Sequence, residues 1–407
     1  MRFDGFNKVW ESKQIGEIAE VVGGGTPKTE IVDYWDGEIK WFTPSEIGKT
    51  KYVFDSDRHI TEKGLKNSSA KLLPKDALLL SSRATVGEIS IALTECSTNQ
   101  GFQSLITKSN VDNDFIYYLI STIKNEFLRR SSGSTFLEIN KNEIKRMPIN
   151  IPELSEQKKI SNLFSAIDNK IEMLEKKCEY YQDFKKYLMQ RIFSSSDDKL
   201  RFNFTDDWNY MNFSEIFKSV STKKYQIKSA DILDKGDFEV IDQGQDEIAG
   251  YFNDKTKLCQ ELPIIIYGDH TTFVKFRDKP FIVGADGVKL LIPKFNANPK
   301  YLFYALEHFN IKPEGYKRHF SIIKKIKLPI PTLEEQNEIS EIFTYIDIKL
   351  KYTKIQLQET EEFKKGLLQQ MFVVRINWRC NFKLAKSPSF NKHLLILKNK
   401  IIFIIIE

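Results

Sequence analysis

One structural unit occurs twice in this chain, and this repeat constrains the fold more than any other feature. Residues 151–193 align without a gap on residues 330–372, and 17 of 43 positions are identical. Similarity over this length indicates a duplicated element. The chain has 407 residues, about twice the length of a typical single domain, which also favours more than one core.

Both copies of the repeat have the apolar spacing of a long helix, with steps of four and three residues in alternation. In the first copy the seam is Ile160, Phe164, Ile167, Ile171, Leu174, Cys178, Tyr181, Lys185, Leu188 and Ile192. In the second it is Ile339, Phe343, Ile346, Leu350, Thr353, Leu357, Thr360, Lys364, Leu367 and Met371. A lysine interrupts the first seam, and two threonines and a lysine weaken the second.

A helix of about 40 residues reaches roughly 60 Å and cannot hide an apolar stripe by itself in water. We therefore expect the two helices to pair with each other, with a partner's helices, or with both. Such a stripe in one helix alone would most often be ordinary core packing. Pro152 and Pro331 mark the two helix starts, and Thr332 with Glu335 fits a capping box.

The segment ahead of each helix has short β-rich runs separated by Gly, Pro, Asn and Asp, which predicts a mixed α/β domain. The predicted strands are Ala77–Ser81, Glu88–Leu93, Leu262–Tyr267, Phe281–Gly284 and Val288–Ile292. The two segments begin alike, at Trp10 and Trp208, and end alike, with the aromatic helical stretches Asp114–Ile123 and Lys300–Phe309. Their interiors differ almost everywhere, which suggests the same task on two targets.

These features predict an α/β (α+β) fold of two mixed domains and two long antiparallel coiled-coil helices, related by a pseudo-two-fold axis, with the domains at opposite ends. The predicted segments are a first domain at 1–150, a helix at 151–193, a second domain at 194–329, a helix at 330–372 and an atypical tail at 373–407. The tail carries no repeat, and we interpret it as a frameshifted or recombined gene end.

Composition excludes several classes of protein. The net charge of +6 suits a polyanionic partner without proving one. The four cysteines form neither a C-x-x-C pair nor a dense disulfide framework, which predicts a reducing, cytoplasmic location. The N-terminus lacks the apolar core of a signal peptide, and Lys398 and Lys400 interrupt the apolar end of the chain, so we expect no membrane span.

No catalytic motif is complete. Gly23–Pro27 lacks the G-K-[ST] ending of a phosphate loop and favours a turn. Asn298–Tyr301 approaches the N-P-P-Y motif of adenine methyltransferases, but Lys300 replaces the second proline. The E-x-K triplets at 38–40 and 143–145 are expected by chance in a charged chain. The histidines, including His59, His270 and His319, lack metal-ligand spacing, so we expect no metal site.

The residues resemble one family closely, the DNA specificity subunits of type I restriction-modification systems. The resemblance covers nearly all of residues 1–372 and depends on the two P-x-L-x-E-Q helices and four long strings. These strings are GGGTPKTEIVDYWDGEIKWFTPSEI, LLLSSRATVGEISIA, TNQGF and IIIYGDHTTFVKFRDKPFIVGADGVKLL. One departure is Ala84, at a position where relatives often have glycine.

The resemblance implies that the two domains are target-recognition domains, each reading half of a bipartite sequence in double-stranded DNA. The helices would set the spacing of the halves and dock two methyltransferase subunits. The chain itself would carry no cofactor. The methyltransferase subunits would bring S-adenosylmethionine and adenine-N6 methylation, and restriction (motor) subunits would bring ATP, Mg and cleavage.

Reading DNA requires Lys or Arg against phosphates and polar side chains at base edges, presented from loops. In the first domain the candidates are Thr26, Lys28, Arg83, Asn99, Gln100 and Gln103. In the second they are Asp269, His270, Thr271, Lys275, Arg277 and Lys289. Each could instead be a turn residue bonded to its own backbone. Two other functions stay open at this point, a self-sufficient DNA-modifying enzyme and a structural coiled-coil scaffold.

Overall fold

The computed structural model of the chain describes residues 2–133, 137–194, 199–202, 204–284, 286–315 and 317–372. It forms two compact units, and the boundaries of these units differ from the boundaries of the predicted segments. The first unit contains the chain up to Lys170 and again from Thr360, and the second is Ile171–Glu359. Each unit therefore contains one mixed domain and part of both long helices. The predicted tail, 373–407, lies outside the described residues.

The first domain alternates short strands with short helices, as predicted. Its strands are β1 (Glu11–Gln14), β2 (Ala19–Gly23), β3 (Trp35–Phe42), β4 (Tyr52–Val53), β5 (His59–Ile60), β6 (Leu78–Leu80), β7 (Ile89–Ala92), β8 (Cys96–Thr98), β9 (Gln103–Thr107) and β10 (Pro148–Ile151). Its helices are α1 (Ile15–Ile18), α2 (Glu62–Lys66), α3 (Asn113–Thr122), α4 (Lys124–Arg130) and α5 (Lys141–Lys145). The first long helix, α6, then runs over Leu154–Ile192.

The second domain has the same character. Its strands are β11 (Asn209–Asn212), β12 (Phe217–Val220), β13 (Phe238–Ile241), β14 (Gly250–Phe252), β15 (Ile264–Gly268), β16 (Val274–Arg277), β17 (Ile282–Val283), β18 (Val288–Pro293) and β19 (Lys327–Ile330). Its helices are α7 (Phe213–Ile216), α8 (Pro299–His308) and α9 (Phe320–Ile323). The second long helix, α10, runs over Leu333–Met371.

The sheets of the two domains correspond. A two-stranded antiparallel sheet, β1–β10 or β11–β19, joins the start of each domain to the residues just before its long helix. The larger sheets are β2-β9-β6-β7-β4 and β5-β3-β8 in the first domain, and β12-β18-β15-β16 and β14-β13-β17 in the second. All five predicted strands lie in these sheets. None of the described helices is long and apolar enough to cross a bilayer.

The predicted seams are confirmed, because every seam position of α6 and α10 is buried or partly buried. Within each unit the helices run antiparallel. In the first unit Phe164 stacks on Phe372 with ring centroids 5.9 Å apart, and in the second Phe193 stacks on Phe343 at 6.4 Å. The threonine at seam position 353 is buried, and its hydroxyl donates to the Lys349 carbonyl, which satisfies the polar atom.

The Glu-Gln pair that begins each repeat attaches the long helix to the domain before it. Glu156 is fully buried, and both of its carboxylate oxygens accept from the Arg2 guanidinium at 2.7–2.8 Å. Glu335 is equally buried and binds Arg201 at 2.7 and 3.0 Å and the Trp208 indole at 2.9 Å. The predicted capping box is therefore only half formed. The Thr332 hydroxyl accepts from the Glu335 amide, but the Glu335 carboxylate binds Arg201 and Trp208 instead of the start of the helix. We call this group of Glu335, Arg201 and Trp208 the anchor of the second helix.

The glutamine of each repeat holds the domain's aromatic helix. The Gln157 side chain accepts from the Asp112 amide and donates to the Pro152 carbonyl, and Gln336 makes the same two bonds to Asn298 and Pro331. Asp112 and Asn298 are the N-caps of α3 and α8, so the glutamine fixes where each aromatic helix begins.

Candidate nucleic-acid interface

The first candidate site is a group of loops at one edge of the first domain, formed by residues 24–28, 43–46, 81–87 and 99–102, which we call the first loop cluster. The Gly25 amide donates to the Thr98 carbonyl at 2.8 Å, and the Ser82 amide donates to the Gly101 carbonyl at 2.7 Å. The Thr85 hydroxyl reaches the Pro44 carbonyl at 3.3 Å. Glycine is required at position 24, because a Cβ atom there would lie 2.0 Å from the Asn99 carbonyl oxygen.

The first loop cluster brings together most of the candidates that the sequence predicts for this domain. The Thr26 hydroxyl bonds the Gln100 side chain, and Asn99 closes its own turn by accepting from the Gly101 amide. Gln103 lies beside Gly23 on the adjoining strand. Lys28, Arg83 and Gln100 are exposed. Arg83 forms an ion pair with Glu138 at 2.6 Å, so the guanidinium is held at the surface of the cluster.

The backbone at Ala84 has φ of +64°, a left-handed conformation that favours glycine. Alanine in this conformation costs about 1 kcal/mol relative to glycine.

The second candidate site, the second loop cluster, is formed by residues 242–247, 268–273 and 286–289. Gln243 lies at its centre. Its side chain accepts from the His270 amide and donates to the Asp286 carbonyl, both at 3.0 Å, and its own carbonyl accepts from the Thr271 hydroxyl. A Cβ atom at Gly287 would lie 2.6 Å from the Gln243 amide nitrogen, so that glycine lets the two loops approach.

Three of the predicted second-domain candidates are used inside the domain. Asp269 is buried, with a carboxylate oxygen accepting from the Phe320 amide at 2.9 Å and the Lys289 ammonium 3.6 Å away. Lys275 donates to the Asp242 carbonyl at 3.0 Å, and burial lowers its pKa despite the nearby Asp242 carboxylate. Arg277 binds Glu247 at 3.1 Å and is 12% exposed.

The remaining candidates of this domain are better placed to meet a ligand. His270, Thr271 and Lys289 are partly exposed. His319 is fully buried, where its ring bonds the Asp269 carbonyl and the Glu314 amide, so it belongs to the support of the cluster.

The two loop clusters share a backbone frame. The Asp269 amide donates to the Gly287 carbonyl at 2.7 Å, as the Ser82 amide does to Gly101. The Asp269 carbonyl in turn accepts from the His319 amide, and the Ser82 carbonyl accepts from the Ile139 amide. Arg83 and His270 therefore have equivalent places in the two frames, each directly after the residue that donates to the glycine. Gln100 and Asp286 are equivalent too, each directly before that glycine.

Sequence reasoning missed this frame and did not select Asp286 or Gln243. The signal was present as G-x-x-x-L-I, which begins at Gly101 and again at Gly287.

One of the incomplete catalytic motifs has a structural role. The Asn298 side chain caps α8 by accepting from the amides of Lys300 and Tyr301, so this motif is a helix start. His59 pairs with Asp55 at 2.9 Å. No group of three or more His, Cys, Asp or Glu side chains within the described part of the chain is arranged to hold a metal ion.

Comparison with protein families identifies the chain. The model of the type I restriction modification DNA specificity domain matches residues 7–179 and again residues 205–362. The chain belongs to this specificity family. The two matches correspond to the duplicated domain and helix, so the internal repeat is a repeat of the specificity domain.

Relatives within the family support the assignment. The chain is 41% identical over 176 residues to the type I restriction enzyme MjaIX specificity subunit of Methanocaldococcus jannaschii, which covers 42% of this chain and 41% of the relative. It is 27% identical over 191 residues to the EcoR124I/EcoR124II specificity subunit of Escherichia coli, covering 42% and 47%. These alignments span less than half of either relative. The M. jannaschii MjaVIII specificity subunit aligns over 404 residues at 22% identity, covering 90% and 93%.

Solved structures show the same fold. The S subunit of a type I restriction-modification system from M. genitalium superposes with a TM-score of 0.65 at 18% identity, covering 91% of this chain and 99% of that one. A chain from a study of complex assembly in the type I system superposes with a TM-score of 0.54 at 15% identity, covering 90% and 97%. The predicted combination of two mixed domains with two long helices is thus confirmed.

Proposed function

We propose that this specificity subunit reads a bipartite double-stranded DNA sequence, with one loop cluster for each half, and catalyses no reaction by itself. The observation that carries the proposal is the shared backbone frame with different side chains on it. Arg83 in the first cluster is replaced by His270 in the second, and Gln100 by Asp286. A fixed frame with exchangeable polar side chains is what direct readout of different bases requires.

The reader residues that we propose are eight polar side chains of the two clusters, each of them exposed or partly exposed. They are Thr26, Lys28, Arg83, Gln100, His270, Thr271, Asp286 and Lys289. Asp269, Lys275 and Arg277 support the second cluster from inside, because their side chains are at most 12% exposed and are bonded within the domain.

The partners that we propose are two methyltransferase subunits on the long helices, and restriction (motor) subunits. S-adenosylmethionine would belong to the former, and ATP and Mg to the latter. Support comes from large apolar side chains that α6 and α10 leave exposed in the second unit, such as Met173, Tyr180, Tyr345 and Tyr352, each at least 60% exposed. Apolar side chains exposed on long helices offer a surface that a protein partner can cover.

A domain exchange tests the proposed function. Residues 201–325 are replaced by the second domain of another family member, and the chain is reconstituted with its methyltransferase subunits. Mapping of the methylated sequences should show that one half of the target changes and the other is kept, because each cluster is built within its own domain. A change in both halves would contradict the proposal. The chain alone with S-adenosylmethionine is the control and should transfer no methyl groups.

Gln243 should act as a positioning residue for the second half of the target. Gln243→Ala removes the side-chain bonds to the His270 amide and the Asp286 carbonyl. At about 1 kcal/mol for each bond, DNA affinity should fall by roughly tenfold or more. Fluorescence anisotropy of the reconstituted complex would measure this loss on DNA with both half-sites.

The loss in Gln243→Ala should disappear when the second half-site is scrambled, because only that half is read by this cluster. Gln260→Ala, an exposed glutamine of the same domain, is the matched control and should bind like the wild type. Equal affinities for the two variants would show that Gln243 positions nothing.

A further inference from the structure

Two lysines occupy seam positions of the long helices, where apolar residues are expected. Lys185 in α6 and Lys364 in α10 have the same place in the repeat, 179 residues apart. Their side chains are only 16% and 27% exposed. A partly buried ammonium group destabilises a helix pair unless an acidic partner compensates it.

Each lysine has its acidic partner on the other long helix. In the first unit the Lys364 ammonium lies 2.5 Å from Oδ1 of Asp168, and in the second unit the Lys185 ammonium lies 2.9 Å from Oδ1 of Asp347. The two aspartates are also equivalent in the repeat. The structure therefore contains the same helix-to-helix ion pair twice, once in each unit.

The second oxygen of each aspartate is bound by the domain. Oδ2 of Asp168 accepts from the Tyr118 hydroxyl at 2.6 Å, and Oδ2 of Asp347 accepts from the Tyr304 hydroxyl at 2.7 Å. These tyrosines lie on the aromatic helices α3 and α8. Each aspartate thus connects one helix, the seam lysine of the other helix and the recognition domain of its unit.

The surroundings of the two ion pairs differ. In the first unit the Lys51 ammonium donates to the Tyr118 hydroxyl at 2.9 Å. In the second unit the Lys185 ammonium also lies 3.3 Å from Glu307 of α8. Burial raises the pKa of Glu307, although the Lys185 charge opposes this shift. Burial alone would lower the pKa of Lys185, but the Glu307 and Asp347 carboxylates outweigh it and raise it.

The apolar seam by itself does not define one register. Its residues recur every seven positions, so sliding one helix by a heptad again places apolar residues opposite apolar residues. The same slide moves each lysine roughly 10 Å along the helix from its aspartate and leaves charged groups partly buried without partners. Only one antiparallel register satisfies both ion pairs.

We propose that the pairs Asp168–Lys364 and Asp347–Lys185 are register pins that select one alignment of the long helices, and through it one spacing between the two halves of the DNA target. This inference rests on the proposed function, a bipartite target read by two domains, and takes from the family resemblance the expectation that the helices set the spacing of its halves. The pins act as positioning groups and make no contact with DNA in this scheme.

The test replaces all four pin residues with leucine, which removes the lysine of each seam together with its acidic partner. Buried ion pairs are often replaced by apolar side chains at little or no cost in stability, so this variant should fold and unfold at a temperature close to that of the wild type. The reconstituted methyltransferase complex is given a DNA library in which the spacer between the half-sites varies. Its preference for the native spacer should fall by about tenfold or more.

Two companion variants complete the experiment. The charge exchange, Asp347→Lys with Lys185→Asp, is made together with Glu307→Gln, because the Glu307 carboxylate would otherwise face the exchanged acid. It keeps one acid and one base in the pair and should retain the native spacer better than Asp347→Lys with Glu307→Gln alone. Asp183→Lys, at an exposed position of α6, is the control for the charge change and should methylate like the wild type.

Each outcome has one meaning. A folded four-leucine variant that keeps the full spacer preference overturns the proposal, because stability would then be the only role of the pairs. If that variant does not fold, the charge exchange decides, and its failure to improve on Asp347→Lys with Glu307→Gln overturns the proposal. A wild-type complex that methylates no bipartite site in the library would overturn the proposed function instead.

Discussion

Replacing Arg201 by methionine should lower the unfolding temperature of the second unit by about 10 °C. Among the described residues, the substitution leaves the Trp208 indole as the side-chain donor to the fully buried Glu335 carboxylate. Removing one partner of a buried ion pair costs roughly 3–5 kcal/mol, because the other charge stays buried without compensation. For a unit of this size, 1 kcal/mol corresponds to roughly 2–4 °C. Circular dichroism during heating would measure the change.

A second substitution separates the lost charge from lost packing. The double variant Arg201→Met, Glu335→Gln has no buried charge left at this pair. Much of the lost stability should therefore return. Arg191→Met removes an exposed arginine from α6 and should change the unfolding temperature by little. If Arg201→Met unfolds at the same temperature as Arg191→Met, the anchor does not stabilise the unit.

Lengthening the long helices by one heptad each should move the two halves of the target apart by about three base pairs. A helix rises about 1.5 Å per residue, so seven residues add roughly 10 Å, and successive bases are about 3.4 Å apart. Seven residues also keep the seam in phase. The insertions are placed after Cys178 and after Leu357, the equivalent positions of the repeat, and methylated sites are mapped in the reconstituted complex.

A heptad inserted in one helix only should give much less methylation at sites with the longer spacer. Asp168 and Lys185 are 17 residues apart in α6, as are Asp347 and Lys364 in α10. An insert in α6 alone makes these separations unequal, so the two ion pairs can no longer form in one antiparallel register. Inserts of four or eight residues break the phase of the seam and serve as controls.

The new spacer is not the only geometric consequence of the longer helices. Three base pairs turn the duplex by about 100°, so some longer variants should lose binding altogether. An active variant with heptads in both helices that still methylates the original spacer would show that the helices do not determine the spacing.

The long helices and the domain architecture could be predicted from the sequence because the signals are local. A seven-residue apolar repeat requires a helix and a partner wherever it occurs, so the seams from Ile160 and Ile339 were predictable position by position. The predicted helical segment, 151–193, contains the observed helix Leu154–Ile192. Runs of buried strand residues, such as Leu78–Leu80, follow from the same kind of local pattern.

The pairings between distant residues could not be predicted in this way. Arg201 and Glu335 are 134 positions apart, and the chain has 61 basic and 55 acidic side chains from which such a pair could be drawn. The seam lysines were predicted as weak points of the helices. The tertiary structure shows them as specific ion pairs, because the antiparallel alignment brings Asp168 to Lys364.

For the loops of the candidate interface, too, the sequence predicted one part and the tertiary structure decided another. The sequence indicated which loops of the first domain to expect together, since the loops of Thr26, Arg83 and Gln100 do meet in one loop cluster. Only the tertiary structure decided which side chains of the second cluster are available. Asp269 looks like a surface turn residue in the sequence, but Phe320, 51 positions away, donates its amide to it inside the domain. Burial and hydrogen-bond partners depend on which distant segments fold together, and no local pattern in the sequence encodes that.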